Sequence, residues 1–336
     1  MVKIVIPDDH PPVISGTEAL QRLHTLGEVT LYDTRPSSSS ELVSRIADAS
    51  IVLNIRAYCK FTEEILTQSP KLRMISVFGA GVDNVDLTAA TRLGILVTNT
   101  PNTSTEAVAE HALALMLTVA RRLTAIDKRM REGKWERGLV TQLNGKTLGT
   151  IGTGAIGLQM ARLGKGIGMK VQAWTLHPSK EKADSEGFTY VKLEELLKTS
   201  DVVSLHLRIS EETRGLLNKD KLALMKPTAI LVNTARGGLI DQEALTEMLR
   251  TNRIAGAGLD VYEREPLDPS SPLLKLENVV LTPHSAGQTR EALDKGLNMA
   301  VDNIAAFLRG SPTSAINPEA LQKALEKRSA QIQSVK

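Results

Sequence analysis

The chain has 336 residues, which at roughly 150 residues per domain favours two domains. With 42% hydrophobic and 24% charged residues it has the balance of a globular protein, which excludes a disordered, collagenous or fibrous chain. A formal charge of +3, from 41 basic against 38 acidic side chains, and 3% aromatics argue against a nucleic-acid partner, an anionic membrane surface or a base-stacking platform. The single cysteine, Cys59, allows no disulfide framework and no cysteine-built metal site, so no metal is expected and the compartment reads as reducing. Residues 1–7 lack the apolar core and cleavage site of a signal peptide, and the apolar stretch near 107–120 is broken by Glu110 and His111. The expectation is a cytoplasmic protein with no membrane partner.

In chain order, short apolar strands are predicted at 3–6, 29–32, 51–55, 74–78 and 96–98, separated by amphipathic stretches at 16–26, 39–49 and 62–69. Pro101 and the polar run Asn102-Thr103-Ser104-Thr105 then mark a break, with Ser104 or Thr105 as the N-cap of a long apolar helix. That helix, 105–122, reads as an exposed apolar face, and with the arm 128–138 carrying Trp135 it predicts a homodimer through the second domain. A second alternation follows, with strands at 147–151, 170–174, 202–205, 229–233, 256–259 and 279–281, and a helix at 290–308. The charged segment 320–336, anchored only by Leu321 and Leu325, is expected as a loosely held helix. Several strands are unbroken β-branched runs, as parallel strands covered on both faces require, so the fold class is α/β with two parallel-sheet units.

Gly152-Thr153-Gly154-Ala155-Ile156-Gly157 follows one of these strands and opens a helix, with another strand some way on. In that context the glycines predict dinucleotide binding. Gly152 permits the tight turn, Gly154 a close backbone approach to a pyrophosphate, and Gly157 close helix–strand packing. The helix N-terminus offers free N–H groups to phosphates. The acid that usually binds the adenosine ribose is absent: Thr175 stands in its place, with Lys180 and Lys182 beyond it, and NAD versus NADP stays open.

Three polar residues sit at the ends of apolar strands: Arg236, Glu265 and His284. Singly, each reads as a loop charge, a turn residue before proline or a surface histidine. Together, downstream of a dinucleotide motif, they supply an anion-binding guanidinium, a carboxylate partner and a proton donor, the functions that hydride transfer to a 2-oxo acid needs.

Gly79-Ala80-Gly81-Val82-Asp83-Asn84-Val85-Asp86, the glycine motif, Asn233-Thr234-Ala235-Arg236-Gly237-Gly238, Leu259-Asp260-Val261-Tyr262-Glu263-Arg264-Glu265-Pro266-Leu267, Thr282-Pro283-His284 and Asn303-Ile304-Ala305-Ala306-Phe307-Leu308-Arg309-Gly310 occur in that order. Through them the chain resembles the D-isomer-specific 2-hydroxyacid dehydrogenase family over nearly its full length. The resemblance implies two doubly wound domains: a flavodoxin-like substrate domain from 1–100 and 287–336, and an inserted Rossmann cofactor domain at 101–286, with the active site in the cleft. It implies an NAD(P)-dependent reductase of a small 2-oxo acid, NAD slightly favoured, working as a homodimer. Arg236 would pair with the substrate carboxylate and polarise the oxo group, with backbone N–H groups near Ala80 and Gly81 on the same carboxylate. His284 would donate the proton, oriented by Glu265. Thr105, Gly152, Gly154, Ala155, Ile156, Gly157, Thr175, Thr234, Ala235, Asp260 and Gly287 would line the cofactor path, Asp260 at the nicotinamide end.

Arg208 stands where many relatives have proline. His111 reads as a packed or capping residue, and His206 as a neighbour of the cofactor outside the chemistry. Arg56, Tyr58 and Cys59 either border the substrate pocket or simply pack their loop. With the chain ending soon after the family's last helix, no appended regulatory domain is expected. Two other readings stay open: a same-fold dehydrogenase of another small anion such as phosphite, and a nucleotide-sensing corepressor or scaffold.

Overall fold

The computed structural model describes residues 1–56 and 58–323. The expectation of a loose helix over 320–336 falls, from residue 324 onward, outside the described residues. The chain divides into two compact units: Met1–Ser104 with the chain from Thr289 onward, and Thr105–Gln288.

The first unit is built on β1 (Lys3–Ile6), β2 (Glu28–Leu31), β3 (Ile51–Asn54), β4 (Met74–Val77) and β5 (Leu96–Thr98), all parallel, in the order β2-β1-β3-β4-β5. Side chains alternate between the two faces, and both faces are covered. Val5, Val52, Ile75 and Val97 pack with Leu42 and Ile46 of the helix Ser39–Ile46. Ile4, Ile51, Leu53, Met74 and Leu96 pack against Leu297, Val301, Ile304 and Phe307 of the helix Arg290–Arg309. That helix brings the last part of the chain back onto the first sheet. Thr289 caps its start, and Gly310, at φ 85°, ends it in a left-handed turn. Beyond it, Asn317 is buried beside β5. Its amide accepts from Val97 N at 2.7 Å and donates to Ile95 O at 3.0 Å, so a side chain satisfies backbone groups that the edge strand would otherwise bury unpaired.

The second unit holds β6 (Thr147–Ile151), β7 (Lys170–Trp174), β8 (Thr189–Tyr190), β9 (Val202–Leu205), β10 (Ile230–Asn233), β11 (Gly256–Leu259) and β12 (Val279–Leu281), parallel throughout, in the order β12-β11-β10-β9-β6-β7-β8. From β6 the chain winds outward through β7 and β8, then returns to β9 on the other side of β6. The β6–β9 boundary is therefore the topological switch point, outside whose carboxyl ends an open α/β sheet binds its ligands. Only the two-residue β8 has no counterpart among the predicted strands, being too short to leave a pattern.

The helix Thr105–Arg121 corrects one expectation. It is not an exposed face: Ala107, Val108, Ala112, Leu115, Met116 and Ala120 are buried, in a core with Leu148, Met160, Ile230 and Val232. Glycines on β11 make this possible. A Cβ on Gly258 would lie 2.8 Å from Leu115 Cβ, and one on Gly256 2.7 Å from Val119 Cγ1. The apolar exposure lies instead on the next segment, a helix at Leu123–Arg131 with the stretch after it, where Leu123, Met130, Trp135 and Leu139 all face solvent. Among the described residues no helix is long and apolar enough to cross a membrane.

Gly258→Val should push the Thr105–Arg121 helix off the sheet and cost about 1–3 kcal/mol, the usual range for overpacking. Thermal unfolding should show a lowered midpoint; an unchanged midpoint would mean the helix is free to move away.

Candidate active site

Three glycines shape the loop after β6, each for a different reason. Gly152 has φ 101°, and a Cβ there would sit 2.6 Å from the His206 carbonyl oxygen. A Cβ on Gly157 would sit 2.0 Å from the Gly152 carbonyl oxygen. Both are required by turn and packing. Gly154 is different: its φ is −74°, ordinary for any residue, and nothing lies within 4 Å of the Cβ position. No neighbour in the fold demands glycine there. Gly154 and Ala155 are exposed at the N-terminus of the helix Ala155–Gly166, where free N–H groups and the positive dipole end face outward. An open, positive backbone cradle of this kind fits the pyrophosphate of a dinucleotide. Two buried side-chain atoms nearby in the sheet, His206 Nδ1 after β9 and Thr234 Oγ1 after β10, have no hydrogen-bond partner within the described residues. Burial pushes the His206 imidazole down to about 4, so it is neutral, and its Nε2 lies 2.9 Å from Ser204 Oγ.

Arg236, Glu265 and His284 follow the carboxyl ends of β10, β11 and β12, which are neighbours in register, Asn233 beside Leu259 and Leu259 beside Leu281. Glu265 Oε2 and His284 Nδ1 are 2.7 Å apart. The other oxygen, Oε1, accepts from Tyr262 N at 3.1 Å. Burial works to raise the Glu265 pKa, but the hydrogen bond and charge of His284, the Tyr262 N–H and the charge of Arg236 outweigh it and hold the carboxyl below its ordinary range. Arg236 is half-buried, with its Nη1 donating to Ala235 O at 2.8 Å and Asn233 Nδ2 bonding its carbonyl at 2.9 Å. Gly237 brings this loop against the Glu265 loop, since a Cβ there would lie 1.9 Å from the Tyr262 carbonyl carbon.

Asp260, expected at the nicotinamide end, is wholly buried, and its carboxylate is engaged inside the protein. Oδ1 accepts from Thr282 Oγ1 at 2.6 Å and Ser285 N at 2.8 Å, and Oδ2 from Ala286 N at 2.9 Å. His284 N donates to the Asp260 carbonyl at 2.8 Å, and His284 itself has φ 54°. The geometry thus gives Asp260 the task of fixing the loop that carries the histidine. His111 joins this network through Nε2, 3.0 Å from Thr282 Oγ1. Tyr262, its hydroxyl pushed by burial up to about 12, stays protonated and donates to Thr282 O at 2.9 Å. Neither Thr282 nor Tyr262 is among the predicted site residues, although each lies beside Asp260 or His284 in a family motif.

The remaining candidates fall as follows. Thr105 begins the helix Thr105–Arg121, Ile156 lies in the first turn after the glycine loop, Thr175 follows β7 half-buried, Ala235 precedes Arg236, and Gly287 follows the Asp260-bound loop. Ala80 and Gly81 belong to the first unit, in the loop after β4, where Asn99 Nδ2 holds the Ala80 carbonyl at 2.7 Å. In the same unit, Cys59 is buried and burial pushes its thiol up to about 12, so it is inert. The Arg56 guanidinium donates to the Pro11 carbonyl, and Tyr58 is exposed beneath Arg35.

Residues 113–286 match the family model described as "D-isomer specific 2-hydroxyacid dehydrogenase, NAD binding domain". The chain is 41% identical over 311 residues to the glyoxylate reductase of Korarchaeum cryptofilum, covering 90% of this chain and 93% of that one. It is 42% identical over 284 residues to the D-3-phosphoglycerate dehydrogenase of Archaeoglobus fulgidus, covering 83% of this chain but 54% of that one. Among solved structures it is similar to an acyclic imino acid reductase in complex with NADPH and D-Arg, with a TM-score of 0.85 and 31% identity over 94% of this chain and 100% of that one.

The glycines separate packing from ligand approach. Gly157→Ala should lower stability by about 1–3 kcal/mol. Gly154→Ala should unfold at the wild-type temperature yet bind dinucleotide about tenfold more weakly, because its methyl occupies the ligand's space and not the protein's. Thermal unfolding and a nucleotide titration of both variants check this, and wild-type affinity in Gly154→Ala would contradict it.

Proposed function

The chain belongs to the D-isomer-specific 2-hydroxyacid dehydrogenase family, and from that we propose that Arg236, Glu265 and His284 carry its chemistry at the substrate end. It is an NAD(P)-dependent oxidoreductase acting between a 2-oxo acid and a D-2-hydroxy acid. When bound, the nicotinamide cofactor supplies the hydride for reduction and accepts it in oxidation. The glycine cradle, Thr234 and Gly287 would hold it.

His284 delivers the proton to the oxo oxygen in reduction and takes it back in oxidation. Its Nδ1 faces the Glu265 carboxylate and therefore carries hydrogen, which leaves Nε2 as the exchanging atom. Glu265 accepts from Nδ1 and fixes the orientation of the ring. Arg236 pairs with the substrate carboxylate, a task suited to a planar guanidinium, and draws electron density from the oxo group. Asp260 acts through the loop it holds. The unit Thr105–Gln288 serves as cofactor domain and the other as substrate domain. The observation that carries the reading is the 2.7 Å His284–Glu265 contact at adjacent strand ends of a sheet that also bears the glycine cradle.

Glyoxylate and similarly small 2-oxo acids are the proposed substrates. Glyoxylate reductase relatives match along nearly their whole length, whereas the phosphoglycerate dehydrogenase of A. fulgidus is spanned for only 54% of its length. Oxidation of NADH or NADPH with glyoxylate, hydroxypyruvate and longer 2-oxo acids tests this directly.

Glu265→Gln removes the carboxylate acceptor that faces His284 Nδ1, so turnover in reduction should fall with cofactor binding retained; unchanged turnover would show that Glu265 is not the histidine's partner. His284→Ala should lower turnover by about 10²–10⁴-fold with cofactor binding retained, as loss of a proton donor does. Arg236→Ala should lower kcat and raise KM together.

We also infer a homodimer, formed through the exposed apolar stretch that includes Leu123, Met130, Trp135 and Leu139. The mass in solution should be that of two chains, and Trp135→Asp with Leu139→Asp should halve it. A monomeric wild type at micromolar concentration would contradict the inference.

A further inference from the structure

We propose that the choice between NAD and NADP is made by Lys192 and Glu195, at the entry to the helix Leu193–Thr199, and not by Thr175, which follows β7. The proposal rests on the dehydrogenase reading above. An open crevice of about 410 Å3, a size suited to part of a small-molecule ligand, is lined by Trp174, Thr175, Tyr190, Lys192 and Glu195 among others. It adjoins the glycine cradle through two contacts. Gly152 N donates to Trp174 O at 2.7 Å, and Thr153 Oγ1 lies 2.9 Å from the Tyr190 hydroxyl. A dinucleotide whose pyrophosphate lies on the cradle therefore has this crevice beside it for the adenosine end.

NADP carries a phosphate where NAD carries the ribose 2′-hydroxyl. A carboxylate at the β7 terminus would bind the hydroxyl and repel the phosphate. Thr175, which follows that terminus, carries no charge and so neither repels nor attracts the phosphate by charge. The lysines that the sequence offers as phosphate partners, Lys180 and Lys182, do not line the crevice; they lie on the helix Lys180–Glu186, capped by Ser179. The charged residues that do line it are Lys192 and Glu195. Both are exposed and neither takes part in an ion pair within the described residues; Lys192 is the N-cap and Glu195 lies in the first turn of that helix. Lys192 brings a positive charge and N–H donors to a phosphate. Glu195 accepts from a ribose hydroxyl and repels a phosphate. With opposite charges on one wall, both cofactors are accepted, and the balance between them is set here.

Trp174 lines the crevice, and Trp135, the other tryptophan, is exposed elsewhere on the same unit. In a Trp135→Phe background, quenching of Trp174 emission therefore reports nucleotide binding without turnover. Lys192→Ala should weaken NADPH about tenfold while leaving NADH within about twofold, the scale of one charge-assisted contact. Glu195→Gln should shift the NADPH/NADH affinity ratio the opposite way, by weakening NADH and tightening NADPH. A ratio unchanged within about twofold in both variants, with both nucleotides still bound, would overturn the proposal and leave the dehydrogenase reading standing. Failure of the wild type to bind either nucleotide would overturn both.

Discussion

The active-site side of the second sheet depends on one buried carboxylate. Asp260 has no exposed surface, and its oxygens accept four hydrogen bonds from the segment 282–286. A buried charge is costly unless every lone pair finds a donor. Here the donors are the backbone and hydroxyl of the loop that carries His284, so the arrangement that satisfies the carboxylate also sets the histidine. The same contact explains how His284 keeps φ at 54°, a conformation that non-glycine residues adopt only when their surroundings impose it. With the backbone fixed, the ring meets Glu265 at 2.7 Å.

Close backbone approach is the second constraint. Gly152 and Gly157 pack the glycine turn against β9 and its own helix, Gly237 packs the Arg236 loop against Tyr262, and Gly258 lets the helix Thr105–Arg121 lie on β11. Remove any of these contacts and the strand ends no longer present their loops at the same level. Gly154 differs from these: a Cβ there would meet nothing within 4 Å, so packing does not require glycine at that position.

The first unit solves a different problem. Its strands β3, β4 and β5 are buried on both faces, and its last covering helix, Arg290–Arg309, comes from far along the chain. Buried side-chain hydrogen bonds tie the returning segment down: Asn317 pairs with the β5 backbone, Ser76 Oγ donates to Ala300 O at 3.0 Å, and Asn303 Nδ2 donates to Asn99 O at 2.9 Å. Such partners specify one placement of the helix, which apolar packing alone would allow to slide.

Much of this was legible in the sequence because it depends on local order. Unbroken runs such as Ile51-Val52-Leu53 announce parallel strands, and the glycine spacing after Ile151 announces a phosphate-binding turn. Arg236, Glu265 and His284 stand out as candidates because each lies in the segment beyond a predicted strand. What the sequence left undecided depends on which elements become neighbours. The pattern of the helix Thr105–Arg121 is apolar either way; only the sheet beneath it, with Gly256 and Gly258, makes it core and not surface. Lys180 and Lys182 follow Thr175 closely in the chain, yet the crevice beside Thr175 is walled by Lys192 and Glu195, because β8 pairs with β7 and brings the next helix to that edge. The donors that meet the Asp260 carboxylate come from a loop more than twenty residues on, a contact that spacing along the chain does not show. Periodicity and spacing are written along the chain, but hydrogen-bond saturation and proximity are properties of the packed sheet, and they decide what each charge is free to do.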